Sequence, residues 1–106
     1  MSDENQVYVA ASFQALHRDA RGRWTLPARE VAARHELCED LAQHLTTHCQ
    51  SVHVEIGAET DEVLARCLHG LQTPESGVSE AEANWIVTRL AELLGWPHPG
   101  LPGQDS

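Results

Sequence analysis

The chain has 106 residues, 42% apolar and 22% charged, which is enough for one modest core and argues against wholesale disorder. Its net charge is −9 and all seven basic residues are arginine; without lysine a P-loop and Schiff-base catalysis are excluded, and without a basic patch neither nucleic acid nor an anionic membrane is an expected partner. No run of 18 apolar residues and no charged-then-apolar amino terminus occurs, so neither a membrane span nor a secretory signal is expected and the cytoplasm is the expected compartment.

In chain order, residues 1–11 open with the polar MSDENQ and are expected to form a flexible N-terminus. Residues 12–96 are read as a single helical domain, and residues 97–106, PHPGLPGQDS, as a flexible C-terminal tail. The domain opens with an irregular segment carrying Phe13, Leu16 and Trp24, broken by the turn RDARGRW around Gly22.

From Pro27 onward the pattern becomes helical. Val31, Leu37, Cys38, Leu41, Leu45, Cys49, Val52 and Ile56 fall on one face without a break, and Gly57 reads as the stop. The rival reading starts from Val52-His53-Val54-Glu55-Ile56, whose alternation suits a strand; it gives an α+β fold with a short two-stranded pairing of residues 7–9 and 52–56. A lone two-stranded sheet is marginal in water, which favours the helix. Thr60 can cap a second helix bearing Val63, Leu64, Cys67, Leu68 and Leu71. After TPESG, the run Ser79-Glu80-Ala81-Glu82 is a capping box opening a third helix with Ala83, Ile86, Val87, Leu90, Leu93 and Leu94 on its stripe and Gly95 as its stop. The predicted fold is therefore all-α, with three principal amphipathic helices at about 27–56, 60–71 and 79–94 and the first much the longest.

The stretch HELCEDLAQHLTTHCQSVHVEIG, residues 35–57, concentrates histidine and cysteine and invites a metal reading. His44 and His48 stand four apart on one edge of the apolar stripe, and Asp40 can join them, whereas His35 and His53 lie on the opposite edge. A structural zinc site takes four ligands, so a metal-binding regulator built on His44, His48 and Asp40 is the minor expectation and no metal or cofactor the major one. Cys38, Cys49 and Cys67 form no CxxC pair and are odd in number, which suits reduced, buried thiols. The serines lack a GxSxG context, and a Cys–His pair would need an exposed Cys49 where the stripe argues burial; no enzyme is expected and no catalytic residue is singled out. Trp85 falls roughly 140° from the apolar centre of its helix, four residues before Arg89. An outward Trp beside an Arg has the composition of an interface hot spot, so Trp85 and Arg89 are the expected partner-binding residues, with cover by the N-terminal segment as the alternative.

The first helix outruns its two shorter partners. If the N-terminal segment does not cover the excess stripe, a second copy of the chain can, so a homodimer is a further expectation. The leading functional expectation is a non-enzymatic cytoplasmic interaction or accessory protein.

Two segments, Glu36-Leu37-Cys38-Glu39-Asp40-Leu41-Ala42 and the run from Glu75-Ser76-Gly77-Val78-Ser79 through Trp85 to Leu93-Leu94-Gly95-Trp96, resemble a short proteobacterial family of unknown function. Some of its members carry the label "ATPase with chaperone activity". The resemblance covers about residues 12–96 and implies no catalytic position, since the shared residues are caps, core and helix ends. The label implies ATP hydrolysis, and here the chain departs from it, having no lysine and no glycine-rich loop.

Overall fold

The computed structural model describes residues 9–97, and there the chain is all-α. It has a short α1 (Ala11–Leu16), a long α2 (Ala28–Ile56), α3 (Thr60–Leu71), a 3₁₀ turn (Pro74–Ser76) and α4 (Glu80–Leu94). Residues 52–56 are the last turn and a half of α2, which overturns the two-stranded alternative; residues 7 and 8, its other half, lie outside the described residues. The unbroken apolar stripe prevails over the β-branched alternation because each residue added to a helix already formed contributes a hydrogen bond without a new nucleation cost. The expected flexible ends fall mostly outside the described residues. Residues 11–16, expected to be irregular, are helical, since Ala-Ser-Phe-Gln-Ala-Leu contains no helix breaker and Phe13 has a buried site to fill.

Two compact units divide the chain, one up to Leu37 and one from Cys38 on, with α2 running through the boundary. In the first unit Phe13, Val31 and His35 are buried. The His35 ring meets Phe13 edge-on at 5.3 Å between centroids, and His17 lies at 5.3 Å from Phe13 on another side. The turn between α1 and α2 is built from polar contacts. Asp19 Oδ1 accepts from the backbone N–H groups of Arg21 and Arg23 at 2.9 and 3.0 Å, while Gly22, at φ 81°, supplies the left-handed residue. The Arg18 guanidinium lies 3.8 Å above the Trp24 ring and donates to the Gly22 carbonyl at 2.7 Å. Trp24, expected to help cover the core, is instead 39% exposed and serves the turn.

The second unit holds the larger core. Cys49 of α2, Ala58 of the joint, Val63, Leu64 and Leu68 of α3, and Ala83, Val87, Leu90 and Ala91 of α4 form one buried cluster, with Leu45, Val52, Cys67, Leu71, Leu94 and Trp96 packed around it. On α2 the buried seam is narrower than the stripe suggested. Val31, His35, Cys38, Ala42 and Cys49 are its buried members, a 3-4 spacing that leaves Leu37 at 39% and Ile56 at 65% exposed.

Helix ends follow their sequence signals with one exception. Ser79 Oγ accepts from the Glu82 N–H and Glu82 Oε1 accepts from the Ser79 N–H, both at 3.0 Å, completing the capping box. Gly95, at φ 71°, closes α4 in a Schellman arrangement, its own N–H going to Glu92 O at 3.2 Å and that of Trp96 to Ala91 O at 3.0 Å. The exception is α3, where Thr60 is the first helical residue and Glu59 stands at the cap without a side-chain bond. Asp61 and Glu62 in its first turn supply the negative charge that a helix N-terminus favours.

Candidate functional site

Three features of the second unit bear on function: a corner, a groove and a thiol pair. At the corner α2 stops at Gly57, whose φ of 79° turns the chain, and the Gly57 N–H reaches His53 O at 3.1 Å. His53 Nδ1 lies 2.7 Å from the Ala58 carbonyl oxygen. A carbonyl only accepts, so Nδ1 carries the proton and donates it. The Trp96 ring lies against the same imidazole, tilted by 60° with 5.3 Å between centroids. His53 thus braces the joint between α2 and α3.

Beyond the corner, α2 and α3 leave an apolar groove of about 440 Å³ whose walls include Leu45, Val52, Ile56, Val63 and Leu71. It follows from the sequence spacing: Leu45, Val52 and Ile56 on α2 and Val63, Cys67 and Leu71 on α3 recur at helical intervals on facing stripes. Gly70 in the wall adds no side chain to fill it. Two basic side chains, His48 and Arg66, also line it, and none of its lining residues is a carboxylate. Arg66 is paired with Glu62 at 2.8 Å along α3. At the open end Ile56 is 65% exposed, and Val54 nearby on α2 is 77% exposed.

On the groove's inner side the thiols of Cys49 and Cys67 meet across the two helices, Sγ to Sγ at 3.1 Å. Cys49 is fully buried in the core, whereas Cys67 is partly exposed and lines the groove. Either thiol can donate in this contact. Its hydrogen bond to Cys67, then burial, push the Cys49 thiol far up from the ordinary range, and the hydrogen bond received from Cys49 pulls Cys67 down. The partner nearer water is thus the one held toward thiolate. None of the three cysteines is in a disulfide here; Cys38 and Cys49 are buried, and Cys67, expected to be buried as well, is only partly so.

The residues singled out in the sequence fall elsewhere. Asp40, His44 and His48 are exposed on α2, and His44 Nδ1 donates to the Asp40 carbonyl at 2.8 Å. Among the described residues no group of three or more His, Cys, Asp or Glu side chains is placed to hold a metal ion. Trp85 does not face outward. It is 9% exposed, and α4 is buried on more than one side, with Ala83, Val87, Leu90 and Ala91 in the cluster and Glu82, Trp85 and Ile86 buried beside them. A wheel drawn around a single apolar centre misplaces a residue on a helix buried over two sides. The Arg89 guanidinium is engaged by carboxylates. Nε donates to Glu39 Oε1 at 2.9 Å and Nη2 to Glu39 Oε2 at 3.1 Å, a forked contact between α4 and α2, and Nη1 adds Glu92 at 3.2 Å. The bonds to Glu39 hold the guanidinium above even its ordinary value, outweighing the opposing effect of burial.

The thiol pair was missed because Cys49 and Cys67 are 18 residues apart on different helices. The available signal was that both lie on the apolar stripes of consecutive helices joined by the short connection at residues 57–59. No helix among the described residues is long and apolar enough to cross a membrane. Compared with known proteins, the chain matches no family model, no curated protein and no solved structure.

Proposed function

We propose that this chain is a non-enzymatic interaction or accessory protein that receives an apolar, helical segment of a protein partner in the groove between α2 and α3. The observation that carries this reading is the groove itself, a concavity of about 440 Å³ with aliphatic walls and an exposed Ile56 at its end. Open apolar surface of this kind costs solubility, and where it is contiguous it marks interaction sites. A helix laid in it would seat apolar side chains one turn apart between Leu45 and Leu71. The chain's net charge of −9, with Glu55, Glu59 and Asp61 exposed around the corner next to Ile56, selects a partner that is basic around its apolar anchors. The same charge opposes a second copy of this chain. Three thiols without a disulfide fit the reducing cytoplasm as the place of work.

A photo-crosslinking residue placed at Ile56 in the native cell tests the reading, with the exposed Gln50 on the same helix as the control position. One partner species crosslinked from position 56 and not from position 50, and lost when Leu71→Asp puts a charge in the groove of a protein that keeps its helical circular dichroism, is the expected result. A product of twice the chain mass identifies a homodimer and overturns the basic partner. Equal labelling at the two positions overturns the groove as an interaction site.

A further inference from the structure

We propose that Cys49 and Cys67 form a modification site, a dithiol that a hydroperoxide entering the groove converts to an intrachain disulfide joining α2 to α3. It does not rest on the reading of the groove as a partner site. Three observations support it. The sulfurs are 3.1 Å apart, so the bond, about 2.05 Å long, needs an approach of about 1 Å. The exposure is asymmetric, with Cys67 on the groove wall and Cys49 fully buried, which separates an attacking sulfur from a resolving one. The wall around Cys67 is lined by no carboxylate that would oppose a thiolate there, and its Arg66 is paired with Glu62 at 2.8 Å. A partly exposed sulfur is one that a small oxidant can reach. The hydrogen bond from Cys49 pulls the Cys67 thiol down from its ordinary range, in keeping with that division of roles.

The chemistry balances with the peroxide as the only oxidant. The Cys67 thiolate attacks one peroxide oxygen; the S–O bond forms as the O–O bond breaks, and the departing alkoxide or hydroxide takes up the proton that Cys67 had lost. Cys67 is then a sulfenic acid and the peroxide has been reduced by two electrons to an alcohol or water. The Cys49 sulfur attacks the Cys67 sulfur, the S–S bond forms, the S–O bond breaks, and the Cys49 proton leaves with the hydroxide as water. A thiol reductant reverses the step by exchange. Cys38, buried on α2 on the N-terminal side of the pair, takes no part.

The test uses the full reduced chain and hydrogen peroxide at equimolar concentration, followed by alkylation under denaturing conditions and non-reducing peptide mapping by mass spectrometry. Two of the three thiols should be lost together, as a peptide pair crosslinked through Cys49 and Cys67 that dithiothreitol restores, while Cys38 is recovered alkylated and the protein stays monomeric on a non-reducing gel. In Cys49→Ser the reaction should stop one step earlier, with Cys67 trapped as a dimedone adduct. Iodoacetamide should label Cys67 in the native protein at a lower pH than it labels a free cysteine. The wild-type map alone can overturn the site: retention of both thiols under peroxide that oxidises free cysteine, Cys67 driven to sulfinic acid with Cys49 still alkylated, or crosslinks mainly through Cys38 would each do so.

Discussion

Up to Leu37 the described side chains that are buried are Phe13, Val31 and His35, and residues 17–27 keep their shape through the Asp19 turn, the Arg18–Trp24 contact and a bond of 2.7 Å from the Thr25 N–H to His17 O. From Cys38 on, one cluster takes side chains from α2, the joint, α3 and α4, and the charged contact that matters there, between Glu39 and Arg89, lies outside it. The same long helix serves both units. Polar turns hold geometry but contribute little net free energy, since each bond replaces one to water; apolar burial contributes more and does so cooperatively. The first unit should therefore open locally while the second sets the global stability.

The strongest way to break that contrast is to remove core volume in the second unit. Leu90→Ala, at a side chain fully buried in the cluster, should cost about 4 kcal/mol and lower the denaturant midpoint of the whole chain. A loss below about 1 kcal/mol would show that the cluster does not govern global unfolding. Phe13→Ala removes the largest fully buried side chain among the described residues of the first unit and should cost about 3 kcal/mol. Its signature differs: amide exchange should accelerate through residues 11–25 while protection in α3 and α4 persists. If both variants lower protection everywhere alike, the two units are one cooperative body and the comparison fails.

Smaller changes sharpen it. Ser79→Ala deletes the hydroxyl that caps α4 and should lower stability by about 1 kcal/mol, read as a midpoint shift with an unchanged denaturant slope. Glu39→Gln leaves the shape of the contact with Arg89 but removes its charge. Both partners are partly exposed, so about 0.5 kcal/mol is expected, shrinking as salt is raised. A salt-independent loss of several kcal/mol would place this pair among the supports of the core.

What sequence alone determined is local and periodic. The bounds of α2, α3 and α4 follow from an apolar repeat near 3.6 residues together with chemical punctuation at Gly57, Thr73 to Ser79 and Gly95, because caps and left-handed turns are decided by a few adjacent residues. The capping box at Ser79 and Glu82 was legible to the atom for that reason. Tertiary structure alone decided which side of each helix is buried and how widely. His35 and Ala42 join the buried seam while Leu37 and Ile56 stay exposed, and Trp85 is covered on a helix buried over two sides, because burial depends on where other elements arrive and a helical wheel carries no information about them. The groove and the thiol pair at Cys49 and Cys67 belong to the same class. Their residues lie on two helices whose relative rotation and spacing are set by side-chain packing across the interface, and only that packing brings two sulfurs 18 positions apart to 3.1 Å.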